Sequence, residues 1–282
     1  MSSSDDSTPS AAQFERDPRS ESDSHDCAKL LHAAGYDKGQ LLPRVLSQLR
    51  VSGRAGEATA KCRDSMGRTA LLISSFKGNL DSVQRCLDCH ESVLAGVAET
   101  DKHGLSALEY ACWRGHTSIV DYLLRKGADP TSRDLFGLQP LHKGRVGHGH
   151  IQAAQRLLSD GACDPNARCG DVHAPAEYEA RTKHQTALHV ACSREEHGQF
   201  VPADPQMVGM LLRHGCSPNV QDDNGDTPLH HAAAACDLAA ARMLLRHGGR
   251  VHTSNLRGLR AVDRMPHDCS YTLYDMLLTG EF

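Results

Sequence analysis

The 282 residues carry a formal net charge of -4, with 39% hydrophobic and 23% charged side chains. A chain of this length buries a sizeable core without needing staples, and its near balance of charge supplies no cationic field for nucleic acid or an anionic membrane. The apolar runs are too short and too broken by charges to cross a bilayer, and the opening MSSSDDSTPS matches neither a secretory signal nor an arginine-rich transit peptide. No N-x-[ST] sequon occurs, and the eleven cysteines are an odd number. Together these point to the cytoplasm, with the nucleus as the alternative, and to free thiols.

Residues 1–26 hold eight serines and seven acids with hardly an apolar side chain, and so read as a disordered acidic tail. Residues 27–63 then show two apolar groups at helical spacing, Leu30, Leu31, Ala33 and Ala34, followed by Leu41, Leu42, Val45, Leu46 and Leu49. This is a worn helix pair, with Pro43 near the start of the second helix, where proline is tolerated. Next comes QRCLDCH, in which Cys86, Cys89 and His90 have the C-x-x-C-H spacing of a c-type haem attachment.

From residue 64 to 265 one pattern recurs six times: RTALL, LSALEYA, LQPLH, QTALHVA, DTPLHHA and LRAVD. Thr69, Ser106, Gln139, Thr186, Thr227 and Arg260 mark equivalent places, spaced 37, 33, 47, 41 and 33 apart. The units start near 64, 101, 134, 181, 222 and 255. In the fifth, Thr227 is placed to cap a helix with its hydroxyl, Pro228 takes the first helical position, and Gly248 closes the second helix. The second repeats this grammar, with Ile119, Val120, Leu123 and Leu124 as an apolar stripe and Gly104, Gly115 and Gly127 at its turns. The third has Gly144 and Gly147 where alanines belong, so its first helix is expected to be weak. Longer loops fall at 168–182 and 195–206. Residues 266–282, with Leu273, Met276, Leu277 and Leu278, read as a closing helix.

A 33-residue unit with a T-P-L-H-x-A core resembles the ankyrin repeat, a β-turn followed by two antiparallel helices. The resemblance implies a mainly α solenoid of helix-turn-helix units joined by β-hairpin turns, with residues 27–63 and 266–282 as caps, since a stack needs terminal units with one polar face. Aligning the first unit on the second puts Cys86-Leu87 over Leu123-Leu124. Cys86 therefore falls where a buried leucine sits, which favours a packed thiol over haem. The resemblance also implies that His142, His189 and His230, in the histidine place of the motif, bond backbone and threonine groups between repeats.

No phosphate loop, dinucleotide fingerprint, nucleophile elbow or H-E-x-x-H occurs, so the chain is expected to be no enzyme and to carry no cofactor. A weaker alternative is a metal or catalytic site on the 168–182 loop, where Cys163, Cys169, His173 and His184 could supply zinc ligands. A third is a substrate receptor of a ubiquitin ligase, against which the short stretch after the last repeat leaves no room for a further box domain. The favoured reading is protein recognition by a monomer, as adaptor, scaffold or inhibitor.

What the resemblance implies for the binding surface is a concave groove of hairpin tips and first-helix faces. The two positions before each mid-repeat glycine are Phe76 and Lys77, Trp113 and Arg114, and Ser193 and Arg194. The tips add Met66, His103, Phe136 and Asn224, of which Phe136 is apolar where a polar tip is expected. Aromatic residues at adjacent groove positions are informative in a chain with one tryptophan and five phenylalanines. Phe76 and Trp113 could instead fill space between helices.

Overall fold

The computed structural model describes residues 18–36, 41–90, 92–143, 151–159, 161–170, 184–192, 195–196, 199–200 and 203–281. Helix α1 (Pro18–Tyr36) and α2 (Leu41–Val51) form the first antiparallel pair, followed by the short α3 (Ala55–Lys61). Leu30, Ala33, Ala34, Leu42, Leu46 and Leu49 are buried, as their spacing predicts, and Pro43 lies in the first turn of α2. α1 starts inside the stretch read as the tail. Once its packed second half is formed, each added helical residue costs little, because the expensive step in a helix is its first turn.

The repeats follow as helix pairs: α4 (Ala70–Lys77) with α5 (Leu80–Leu87), and, after a short α6 (Val93–Val97), α7 (Ala107–Arg114) with α8 (Thr117–Arg125). α6 occupies the extra residues that stretch the first spacing to 37. The third pair is α9 (Pro140–Lys143) and α10 (Ile151–Ser159), and residues 144–150, on which the expected weakness of the third unit's first helix turns, lie outside the described residues. α11 (Ala187–Cys192) and α12 (Pro205–Arg213) flank a small antiparallel hairpin, β1 (Glu195–Glu196) and β2 (Gln199–Phe200), within the inserted loop. α13 (Pro228–Ala234) and α14 (Leu238–Arg246) make the fifth pair. A 3₁₀ turn (Ala261–Arg264) and α15 (Tyr271–Thr279) follow, with Leu273, Met276 and Leu277 buried and Leu278 exposed.

First helices pack on first helices along the stack: α1 on α4, α4 on α7, α7 on α9, and α11 on α13. Leu71, Leu108, Leu141, Leu188 and Leu229 occupy one equivalent buried place in successive units. Cys86 is fully buried beside Leu87, so the alignment that gave it a core position holds. Burial pushes its thiol well up, away from the thiolate a metal ligand needs. Cys89 accepts an N–H from Arg50 Nε at 3.3 Å, and His90 lies buried 3.7 Å from Glu99.

One further point differs from expectation. Cys27 pairs with Cys62 and Cys236 with Cys269, with Cα–Cα distances of 5.1 and 5.6 Å, while seven cysteines are free. The separations of 35 and 33 residues are about one repeat, and stacking brings such positions side by side. Thr227 stands, as expected, at the N-cap of α13, in a capping box with His230, whose Nδ1 accepts the Thr227 N–H at 3.1 Å and lies 2.8 Å from the Thr227 hydroxyl.

Candidate functional site

Among the described residues, five hairpin tips are each tied by one short polar side chain. Asp101 Oδ1 accepts the N–H groups of His103 and Leu105 at 2.8 and 2.9 Å, and Asp134 Oδ1 accepts those of Phe136 and Leu138 at 2.9 and 2.8 Å. Asp64, Asp222 and Asn255 do the same in their units. Neighbouring tips are then linked through the backbone: Lys102 N–H donates to Met66, Leu135 to His103 and Leu256 to Asn224. Arg63 and Arg133 each span two carbonyls, one in their own hairpin and one in the next, and Gln221 does this in the fifth unit. The tips therefore form a braced row, and the side chains they carry hold fixed spacing.

Against this row the first helices set aromatic rings. Phe76, in the last turn of α4, meets Tyr110 edge-on at 5.7 Å between centroids and Trp113 at 5.9 Å, while Tyr110 and Trp113 stack at 6.2 Å. The Tyr110 hydroxyl donates to Asp101 Oδ2 at 2.7 Å, which fixes the ring and pushes its pKa up, with burial the larger cause. Across the groove His103 stacks on Phe136 at 6.3 Å. Lys143 lies 6.0 Å from the Phe136 ring and pairs with Asp134.

These residues enclose a cavity of about 480 Å³. Met66, Phe76, His103, Trp113 and Phe136 all line it, so five of the residues chosen from sequence converge on one place. Arg114 sits with its guanidinium 4.9 Å from the centre of the Phe76 ring, and Lys77 is exposed beside Phe76. Phe76 and Trp113 are half-buried and also pack on the core, so the space-filling role and the groove-facing role are both present. Asn224 is in the tip of the fifth unit, outside the cavity lining. Ser193 and Arg194 lie outside the described residues.

Sequence reasoning missed Arg68, Leu105, Tyr110, Leu138 and Lys143 in the lining. Tyr110 had a readable signal, since it is one helical turn before Trp113 and therefore on the same face. Val190 and His142 complete the wall from the third and fourth units.

The motif histidines behave as the resemblance implied. His142, His189 and His230 accept the N–H of Gln139, Thr186 and Thr227 at Nδ1, and donate from Nε2 to Ala167, Asp226 and Leu259 carbonyls, each at 3.1 Å. Burial, the largest cause, lowers the first two to about 4 and also lowers His230. Glu109 stands in the same place in the second unit. Its Oε2 accepts the Ser106 N–H at 2.8 Å, Oε1 has no partner, and burial raises its pKa to about 7.

The metal alternative fares differently. Cys163 donates to the Pro130 carbonyl, Cys169 is buried with its thiol pushed up by burial, and His184 pairs with Asp223 at 2.7 Å. His173 lies outside the described residues. Among the described residues, the groups close enough to share an ion are Asp222, Asp226 and His231, and Cys236, Asp268 and Cys269. The first is knitted by internal hydrogen bonds, including His231 to Asp222 at 3.1 Å and Asn255 to Asp226 at 2.7 Å. The second contains a cysteine pair already bonded to itself.

The family model for ankyrin repeats (3 copies) matches residues 20–134 and 145–255, and the chain belongs to the ankyrin-repeat family. The fold is a protein-interaction fold. Human inversin is 27% identical over 216 residues, covering 76% of this chain and 17% of inversin. Human rabankyrin-5 is 35% identical over 142 residues, 50% of this chain and 11% of that protein. The ADP-ribosylation factor GTPase-activating protein AGD2 of Arabidopsis thaliana is 32% identical over 117 residues, 42% of this chain and 14% of that protein. The chain thus spans less than a fifth of the length of each of these relatives. The ankyrin repeat domain of Bcl-3 superposes with a TM-score of 0.65 at 21% identity, covering 89% of this chain and 97% of that one. The human ASB11 ankyrin repeat domain does so with 0.67 at 22%, covering 90% and 97%. Among the described residues no helix is long and apolar enough to cross a membrane.

Proposed function

We propose that this chain is a non-catalytic binding module, acting as adaptor, scaffold or inhibitor, and that it holds a partner protein in the groove of its first three repeats. The observation that carries the reading is the aromatic cavity, where half-buried Phe76 and Trp113 face open space from a braced frame. Exposed aromatic and arginine side chains in a preformed pocket are what binding anchors look like. Met66, Lys77, His103, Arg114 and Phe136 surround those anchors, while Asn224 lies farther along the row of tips, and Ser193 and Arg194 belong to the proposed groove by sequence register alone. The reading keeps the chain a monomer in the cytoplasm or nucleus, with no cofactor and no nucleic-acid partner.

The test is affinity capture with the intact chain beside a Phe76→Ala, Trp113→Ala, Arg114→Ala triple variant, with folding checked by circular dichroism. Each captured protein is then purified and its affinity measured directly. A folded variant that binds at least about tenfold more weakly supports the groove, since two or three anchors each contribute more than about 1 kcal/mol. Equal affinity moves binding to another surface.

A further inference from the structure

The fold leaves open what enters the cavity, but its charge pattern narrows the answer. The lining holds Arg68, Lys143, His103 and His142, and among the described residues no carboxylate lines it. Arg68 and Lys143 are balanced by the aspartates of their own hairpins, Asp64 and Asp134. His142 is kept neutral by burial. The floor is therefore close to uncharged and mostly apolar.

Unbalanced charge lies at the rim. Lys77 and Arg114 are the last residues of α4 and α7, both are exposed, and among the described residues neither makes an ion pair. Arg114 is already placed over the Phe76 ring. Aromatic rings alone would suit a cation, yet the cation position on Phe76 is taken and a second positive charge stands next to it. Asp101, bonded to Tyr110 of the lining, is buried and occupied by the Tyr110 hydroxyl and two N–H groups.

We propose that the cavity takes one bulky apolar side chain, aromatic or long aliphatic, from an acidic peptide segment of a partner protein, with the segment's carboxylates lying on Lys77 and Arg114. This rests on the groove reading above and adds the chemistry of the occupant. The apolar anchor fills the space between Phe76, Trp113 and Phe136, and the rim cations steer and orient the acidic flanks, an effect that weakens with salt.

The experiment is selection of random peptides displayed on phage against the full chain, followed by titration of the enriched consensus peptide. Trp113 is the chain's one tryptophan and lines the cavity, so its emission reports occupancy. Expected are peptides with a Phe, Trp, Leu or Met flanked by Asp or Glu, a shift of Trp113 emission on binding, and a loss of about tenfold in affinity in a Lys77→Glu, Arg114→Glu variant that still folds. Enrichment of basic peptides that shift Trp113 would overturn the acidic partner and leave the groove reading standing. Peptides that bind without changing Trp113 emission, and equally well to Phe76→Ala, would overturn both. No enrichment above an unrelated protein, or emission that varies with protein concentration as a second copy enters the cavity, would also reject the acidic peptide.

Discussion

His189 joins two repeats: its Nδ1 accepts the Thr186 N–H at 3.2 Å at the start of α11, and its Nε2 donates to the Asp226 carbonyl of the next unit at 3.1 Å. The ring is fully buried, so both bonds form out of water, where losing a partner costs the desolvation of the group left behind. His189→Ala should therefore lower stability by about 3 kcal/mol, combining an unpaired N–H, an unpaired carbonyl and a cavity. Urea denaturation of the two proteins checks this. A change within about 0.5 kcal/mol, as at an ordinary surface site, would mean that the ring does not couple the repeats.

The same histidines set a pH dependence. His142 and His189 are held at about 4, below the ordinary 6.5, so the unfolded chain binds more protons than the folded one between those values. Stability is present above pH 6.5 and is lost as pH falls toward 4, by about 1.4 kcal/mol per unit for each ring within that window. Glu109 works the other way: raised to about 7 from 4.5, its contribution is present below 4.5 and lost as pH rises through 7. Two lowered rings outweigh one raised carboxyl, so denaturation midpoints should fall on going from pH 6.5 to 4.5. Glu109→Gln should steepen that fall, because it removes the opposing group. A flat profile in both proteins would contradict the assignment.

Two glycines with left-handed backbones separate conformational strain from close approach. Gly225 has φ of 73° and a Cβ there would lie 2.7 Å from the Leu256 nitrogen of the next hairpin, whereas Gly248, at 87°, has open space around it. Alanine at Gly248 should cost about 1 kcal/mol from strain alone. Alanine at Gly225 should cost about 3 kcal/mol, since the hairpin row must also part. Equal melting-temperature losses in the two variants would show that the hairpins are not packed as described.

Cysteine pairing is counted directly. Protein purified without reductant and unfolded in urea should present seven reactive thiols to a chromogenic disulfide reagent, and eleven after reduction. Eleven before reduction would mean that the two end pairs stand as dithiols, the form expected in a reducing cytosol.

Much of this was legible because repetition carries it. The T-P-L-H grammar gave the helix pairs, the buried leucine positions and the roles of three histidines, and register alone placed Cys86 in the core despite its haem-like neighbours. The braced hairpins were written in the sequence as well: Asp64, Asp101, Asp134, Asp222 and Asn255 each stand three residues before a glycine. That signal was overlooked because a single D-x-x-G means little until five copies are aligned. Tyr110, Arg68 and Lys143 were harder. Their place in the cavity depends on how neighbouring units stack, through contacts such as Tyr110 to Asp101 that no local spacing encodes. Glu109 shows the limit from the other side, a departure from the motif whose altered ionisation follows only from full burial.

The most direct test of the central claim is hydrogen exchange of the chain alone and in complex with a partner recovered by the triple-variant comparison. The account predicts added protection at the hairpin tips around Met66, His103 and Phe136 and over α4 and α7, with α5 and α8 unchanged. Protection confined to α5 and α8, or to the two ends of the stack, would contradict a partner bound in the aromatic groove.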